Sequence, residues 1–252
     1  MSATTITDVE TLPAIRHHEA MALQATELER AIATLRALED QQWRARTVCP
    51  EWDARQMWLH VLGACEAGAS MRENLHQMRA ARKRRNDLGV PLEAGLSAVQ
   101  VAEREHLSSD ELVERHELTT PKTVRSRTRT PRVMRSIRIG IDAPVVEKWS
   151  LGYLIDIIYL RDAWLHRIDT ATASGADLVL TADLDGRIVA DIVAEWARRH
   201  GQPFTLELTG IAGGVFTADG GGEPMRMDAV EFCSVLAGRG EASGLLATVV
   251  PF

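Results

Sequence analysis

The chain has 252 residues, of which 45% are hydrophobic and 25% are charged, and its formal net charge is −6. This length predicts one large domain or two small ones with a sizeable core. The acidic balance argues against a nucleic-acid partner. The sequence contains no apolar run of the roughly 18 to 20 residues that a membrane span requires and no secretory signal. We therefore expect a cytoplasmic protein, either a monomer or a homodimer.

The three cysteines, Cys49, Cys65 and Cys233, are odd in number and lie far apart. They form no CxxC pair, so the sequence favours reduced thiols over a disulfide framework or a zinc ribbon. Cys65 lies five residues after His60, off the helical face of that histidine. We therefore do not expect Cys65 to be a metal ligand.

The first half of the chain is predicted to be helical. We expect residues 1–15 to form a flexible tail, and apolar residues at helical spacing predict a first helix from His17 to Leu38. A second helix is predicted to begin near Asp53, because Asp53 and Gln56 make a capping-box pattern. This pattern allows the second helix to continue to the basic cluster at residues 82–85.

A third helix is predicted to open at Ser108 or Ser109, with Glu111 as its acidic capping partner. Between Lys122 and Arg138 the chain has seven basic residues and no acidic one. A solvated face or loop is the favoured interpretation of this run. The functional alternative is an anion-attracting patch near a substrate entrance.

The fourth predicted helix runs from Ser150 to Ser174, and Gly175 ends it. One face of this helix carries an apolar stripe that should pack into a bundle. The members of the stripe are Leu151, Leu154, Ile155, Ile158 and Leu165.

The last third of the chain changes character. A helix is predicted at Asp185–Arg199, and the alternating segment Phe204–Thr209 is predicted to be a strand that pairs with Gly213–Ala218. Another helix is predicted at Asp228–Ala237, and a last strand at Leu245–Val250.

These elements predict a mainly α protein with a smaller α/β part. We place a four-helix bundle at residues 16–175. A small α/β domain is expected at residues 176–252.

Two residues of the fourth predicted helix, Asp162 and His166, are four positions apart and therefore share one face. A carboxylate and an imidazole at that spacing can bind one metal ion. His60 lies in the middle of the second predicted helix and would face the pair if the two helices are neighbours. Two histidines and one carboxylate leave an open coordination position, as in a catalytic site. Asp169 is either an orienting partner of a ligand or a plain surface carboxylate.

The segment TVCPEWDARQMWLHVLG resembles the T-x-C-P-x-W…H signature of the mycothiol-dependent maleylpyruvate isomerase family. RDAWLHRID followed by ATASG resembles the second metal motif of that family. The ending, DAVEFCSVLAGRG and then LLATVVPF, is similar to the family's C-terminal domain. The resemblance thus extends over nearly the whole chain.

The resemblance implies a DinB-like up-down four-helix bundle, followed by a domain of sterol-carrier-like α/β type. It implies a divalent metal, with Zn²⁺ expected, held by His60, Asp162 and His166, and mycothiol as cosubstrate. The family's C-terminal domain supplies an arginine that assists catalysis, and this role falls on Arg239. The same domain also contains Arg198, Arg199 and Arg226.

One position departs from the family's pattern, because Asp162 stands where the isomerase has glutamate. Aspartate is one methylene shorter, so either the helices approach more closely or the affinity and preference for the metal change. This departure concerns the particular reaction more than the metal site.

The implied chemistry is activation of a small thiol for attack on a small electrophile. A free thiol has a pKa near 8.5, and coordination to zinc deprotonates it. With maleylpyruvate, addition to the cis double bond, rotation and elimination would give the trans isomer. With other electrophiles the sulfur would remain attached, and this S-transferase reaction is favoured over the specific isomerase.

Two alternatives remain open at the level of sequence. A metal-dependent hydrolase would use a metal-bound water, and product analysis with and without a thiol would identify it. A non-catalytic module that binds a small molecule or a protein would fit a closed, four-ligand metal site better.

Overall fold

The computed structural model describes residues 6–143 and 145–252. These residues divide into two compact units, one of residues 16–178 and one that combines residues 6–15 with 179–252. Strand β1 (Ile6–Asp8) belongs to the second unit. Among the described residues, no helix has the length and apolar character needed to cross a membrane.

The larger unit is mainly helical. Its elements in chain order are α1 (His17–Arg36), α2 (Ala54–Ala69), α3 (Met71–Leu88), α4 (Leu92–Ala102), α5 (Ser109–Thr128), α6 (Arg132–Arg135), β2 (Arg138–Ile141), β3 (Glu147–Ser150), α7 (Leu151–Tyr153), a π-helical turn (Leu154–Ile158) and α8 (Tyr159–Ser174).

Four of these helices form a bundle, in which α1 and α2 each pack against both α5 and α8. The direction of α5 relative to α2 follows from two hydrogen bonds. His116 Nε2 lies 3.0 Å from the Trp58 carbonyl, and Thr123 Oγ1 donates to the Cys65 carbonyl at 2.6 Å. Residue numbers therefore rise in the same direction along both helices, so α2 and α5 run parallel.

Helices α2 and α8 run antiparallel, because Trp58 Nε1 bonds Thr170 Oγ1 at 2.8 Å while His60 lies beside Asp162. Helix α1 runs antiparallel to α5, since Gln24 accepts a hydrogen bond from Arg127 and Arg36 forms a salt bridge with Glu117. The helices α1, α2, α5 and α8 therefore run up, down, down and up. Helices α3 and α4 form the crossover that connects α2 to α5. This order refines the predicted up-down bundle.

The beginning of α2 confirms the predicted capping box. Asp53 accepts from the Gln56 N–H at 2.8 Å, and the Gln56 side chain accepts from the Asp53 N–H at 3.1 Å. The predicted continuation to residue 85 is interrupted, because Ser70 is extended and caps α3 through Glu73 N–H. Helix α4 was not predicted by the apolar pattern. Gly89, with φ +67°, ends α3.

The fourth predicted helix is confirmed over α7, the π-helical turn and α8. Ser150 Oγ accepts from the Tyr153 N–H at 3.0 Å, and Gly175, with φ +69°, ends the helix. The preceding hairpin, in which β2 pairs antiparallel with β3, was not predicted, because the basic run through residue 138 was interpreted as solvated.

The smaller unit packs helices on a sheet. Its further elements are a π-helical turn (Ala182–Gly186), α9 (Arg187–His200), β4 (Phe204–Thr209), β5 (Gly214–Ala218), β6 (Pro224–Asp228) and α10 (Ala229–Leu236). In the described residues the sheet order is β1-β5-β4-β6, with β5 antiparallel to β4 and the two outer pairs parallel. The Trp196 ring contacts Phe204 and Phe232 at ring-centroid distances of 4.8 and 5.3 Å, which ties α9 to the sheet and to α10.

The predicted helices and the β4–β5 pair of this unit are confirmed, but two expectations need correction. The predicted strand at 245–250 is wrong, because the segment opens with a 3-10 turn (Gly244–Ala247) and the Leu245 carbonyl accepts from Trp196 Nε1. Strand β6 lies beside β4 instead. Of the predicted tail, residues 1–5 lie outside the described residues, whereas Ile6–Asp8 pairs with β5, a partner distant in sequence.

Candidate metal centre

The three predicted ligands lie together inside the bundle. His166 Nε2 is 3.2 Å from Asp162 Oδ1, and His60 Nε2 is 3.9 Å from the same oxygen. One ligand atom of each residue lies within 4.8 Å of those of the other two. The three side chains thus converge on one small volume that could hold a cation.

Two local features position these side chains. The capping box at Asp53 fixes the start of α2, and His60 follows two turns later on the face that meets α8. On α8, Asp162 and His166 follow the π-helical turn, a feature often found at functional sites. The Ile155 carbonyl within that turn accepts from Gln24 Nε2 at 2.5 Å, which anchors the turn to α1.

Buried polar contacts hold α8 against its neighbours near the cluster. Arg167 pairs with Glu27 of α1 at 2.6 and 3.0 Å, and the two side chains are only 2% and 0% exposed. Trp58 on α2 donates to Thr170, and Thr170 Oγ1 donates to the His166 carbonyl at 2.7 Å. These contacts fix the rotation of α8, and hence the direction of its ligands.

Charges within the cluster are strongly coupled. Burial raises the pKa of the Asp162 carboxyl, but the His166 and His60 imidazoles outweigh burial and hold that pKa well below its usual range. Burial lowers the pKa of His166, but Asp162 and Asp169 outweigh it and raise that pKa to about 9. Without a metal, the cluster is therefore an imidazolium–carboxylate pair at neutral pH.

The donor set fits a divalent metal ion. Zinc bonds of about 2.0 to 2.1 Å in tetrahedral geometry place neighbouring ligand atoms about 3.3 to 3.4 Å apart. The His166–Asp162 separation of 3.2 Å matches this value, and the His60–Asp162 separation of 3.9 Å exceeds it modestly. The Asp162 side chain is 24% exposed, so solvent reaches at least one member of the cluster.

Asp169 lies on the far side of His166, with Oδ2 3.6 Å from Nδ1. This separation is longer than a hydrogen bond, but the carboxylate faces the second ring nitrogen as orienting partners of metal-bound histidines do. Asp169 is buried, so the structure favours the orienting role over the surface alternative.

The bundle also contains a buried, positively charged side chain, that of Arg127 on α5. Arg127 is buried, bonds Gln24 Oε1 at 2.9 Å, and its Cζ lies 3.9 Å from the Tyr159 ring centroid. Burial raises the pKa of the Tyr159 hydroxyl, and Arg127 opposes this rise. Burial also raises the pKa of Cys65, which keeps its thiol neutral. Arg127 belongs to the basic run between Lys122 and Arg138 that was predicted to be solvated, and its buried position was not predicted.

Arg239 belongs to the smaller unit, where Ala237 and Gly238 separate it from the end of α10. Its backbone N–H donates to the Ser234 carbonyl at 2.9 Å, and its side chain is half-buried. Gly238 adopts φ +76° just before it, which makes this segment the turn that ends α10.

The fold and the cluster define a helical-bundle protein with an open centre of two histidines and one carboxylate, suited to a divalent metal. The family model described as "Mycothiol maleylpyruvate isomerase N-terminal domain" matches residues 25–171, more than half of the chain. The chain belongs to this family, and the match includes all three residues of the cluster.

Two solved structures are similar to this chain, a mycothiol-dependent maleylpyruvate isomerase and a mutant of that enzyme. In both cases the sequence identity is 17%, the TM-score is 0.57, and the match covers 97% of this chain and 98% of the other. At this identity the likeness supports the fold, and it confirms a helical bundle combined with a smaller α/β part. No curated protein matches the chain.

Proposed function

We propose that this chain is a metal-dependent thiol enzyme. It binds one divalent metal ion through His60, Asp162 and His166 and brings a small thiol to a small electrophilic substrate. The observation that carries the proposal is the cluster itself, in which three ligand atoms from two helices lie within 4.8 Å of one another. The residues leave one side open, as a catalytic centre requires.

The side chains of the cluster have distinct roles in this proposal. His60 and His166 bind the metal as neutral imidazoles, and Asp162 binds it as a carboxylate. Asp169 faces Nδ1 of His166 and so directs Nε2 of that ring toward Asp162. The bound metal supplies one effect, which is to lower the pKa of a coordinating thiol so that thiolate is available at neutral pH. Zinc is the proposed metal, because nitrogen and carboxylate ligands with an open position suit it.

Family membership supports mycothiol as the thiol, since the family takes its name from a mycothiol-dependent isomerase. We propose an S-transferase rather than the isomerase, since Asp162 departs from the glutamate that the family's isomerase is expected to have at this position. In the S-transferase reaction, the thiolate forms a carbon–sulfur bond that persists in the product. The electron pair of the broken bond either leaves with the substrate's leaving group or, for an activated alkene, takes up a proton at the neighbouring carbon.

Arg239 is proposed as the residue of the smaller unit that assists catalysis. Arginine binds carboxylate groups of an anionic substrate in a bidentate manner. Arg239→Ala should therefore lower turnover and leave metal binding unchanged, with Arg226→Ala as the matched control, because Arg226 pairs with Glu207 on the exposed sheet.

The proposal is tested by product analysis with mycothiol and a panel of electrophiles, in parallel reactions with and without the thiol. We expect turnover that requires both thiol and metal, that is lost in His166→Ala, and that persists in His76→Ala, whose exposed imidazole pairs with Glu103. Hydrolysis without thiol would replace the proposal by a metal-dependent hydrolase. Metal binding without any turnover would favour a binding module.

A further inference from the structure

The two histidines of the cluster differ in what supports the ring nitrogen that faces away from Asp162. His166 Nδ1 makes no hydrogen bond to the described residues, but it faces the Asp169 carboxylate at 3.6 Å. His60 Nδ1 is buried and has no hydrogen-bond partner in the described part of the chain. Metal-binding histidines almost always donate this second N–H to an oxygen, which fixes the orientation of the ring. His60 therefore needs another source of orientation.

The Trp52 indole packs against the ring of His60. Its ring centroid lies 5.1 Å from that of His60, and the two planes are tilted by 31°. The distance and the small tilt are those of an offset stack between aromatic rings. The His166 ring lies nearly perpendicular to the His60 ring, at a centroid distance of 5.7 Å and an angle of 86°. His60 thus contacts one ring that is tilted by 31° from its plane and another that is nearly perpendicular to it.

The Trp52 backbone is held by its own loop. Trp52 N–H donates to the Cys49 carbonyl at 3.0 Å. The Trp52 carbonyl accepts from Thr47 N–H at 3.3 Å and from Thr47 Oγ1 at 2.9 Å. Asp53, the next residue, caps α2. The loop therefore ties the indole to the helix that carries His60.

We propose that Trp52 is a positioning residue for His60, which it holds by ring stacking in place of the hydrogen-bond acceptor that such a ligand normally has. This inference rests on the proposed function, because it assigns His60 to the metal. A stack fixes the plane of the imidazole but allows it to slide within that plane. Sliding is the movement that the cluster needs, since His60 Nε2 is 3.9 Å from Asp162 Oδ1, against 3.2 Å for His166 Nε2.

A purely structural role is the competing explanation, because Trp52 also packs against the core of the bundle. The two roles predict different results for substitutions. Loss of packing lowers the stability of the metal-free protein and leaves the intrinsic affinity of the folded site for metal unchanged. Loss of the stack lowers that affinity, and another aromatic ring at position 52 restores it.

The test measures Co²⁺ affinity from the visible absorption of the bound ion, and Zn²⁺ affinity by competition with a chelator. It compares the wild-type chain with Trp52→Leu, Trp52→Phe and Trp149→Leu. Trp149 is the matched control, since it is buried in a separate cluster with Ile141 and Ile158. The unfolding temperature of each metal-free variant is measured alongside, and affinities are compared below the onset of unfolding.

We expect Trp52→Leu to lower the affinity by about 10- to 100-fold, the range found when an orienting partner of a metal ligand is removed. Trp52→Phe should retain most of the affinity, and Trp149→Leu should retain all of it. Unchanged affinity in Trp52→Leu, or an equal loss in Trp149→Leu, would overturn the positioning role while the proposed function stands. A wild-type chain that binds neither ion would overturn both.

Discussion

Replacing His116 should change how the stability of the protein depends on pH. His116 is buried on α5, and burial lowers its pKa from 6.5 to about 4 although the nearby Trp58 carbonyl opposes the change. The unfolded chain binds a proton on this imidazole below about pH 6.5, whereas the folded chain resists protonation until about pH 4. The contribution of neutral His116 to the free energy of unfolding is therefore fully present above about pH 6.5. It is lost as the pH falls from about 6.5 to about 4.

The size of the effect follows from the shift. A difference of about 2.5 pKa units, at about 1.36 kcal/mol per unit, gives about 3 kcal/mol of stability lost between pH 7 and pH 4. His116→Gln removes the titrating group and keeps an N–H that can donate to Trp58, as the imidazole Nε2 is placed to do. The free energy of unfolding of the variant should therefore depend less on pH by about this amount.

The assay is urea unfolding of the metal-free protein at several pH values between 4 and 7, for the wild type and His116→Gln. Other groups titrate in this window, but they are common to both proteins and cancel in the difference. Parallel pH profiles for the two proteins would refute the buried, neutral His116 on which the reasoning rests.

Three further outcomes are expected. Glu27→Gln leaves Arg167 without its buried carboxylate and should lower the free energy of unfolding by about 3 to 5 kcal/mol, measured by urea unfolding; a change below about 1 kcal/mol would contradict the pair's geometry. Gly63→Ala should destabilise α2 in thermal unfolding despite the usual helical preference for alanine, because its Cβ would lie 2.6 Å from Gln100 Cβ; a raised unfolding temperature would contradict this packing. Since the pKa of His166 is about 9, a metal ion that binds at neutral pH must displace the proton of this imidazole. The affinity of the protein for the metal should therefore rise with pH up to about pH 9. Titration of the metal-free protein with Zn²⁺ at pH 7 that releases no proton would contradict this.

The bundle and its cluster could be predicted because their signals are local. The capping box at Asp53 and the four-residue spacing of Asp162 and His166 each act within one helix. The meeting of α2 and α8 depends on the bundle, and the resemblance of the chain to a known family made it possible to predict that meeting. The structure refines the predicted up-down order of helix directions, because α2 and α5 run parallel and are joined by the crossover through α3 and α4.

The features that sequence analysis missed depend on distant partners. Strand β1 has three residues, and its parallel partner is β5, near the other end of the chain. The contact between the Trp52 and His60 rings depends on a loop that folds back onto α2, which no periodic pattern reveals. Arg127 belongs to a run of basic residues, and only its contact with Tyr159 in the folded chain separates it from the exposed members.

The most direct test of the metal centre is the metal content of the purified protein, measured for the wild type and for His60→Ala, His166→Ala and His76→Ala. The account predicts about one equivalent of zinc or a similar ion in the wild type and in the exposed control His76→Ala, and its loss in the other two variants. The absence of metal in the wild type, together with no stabilisation by added zinc, nickel or manganese, would contradict the account. Full metal content in His60→Ala and His166→Ala would contradict it equally.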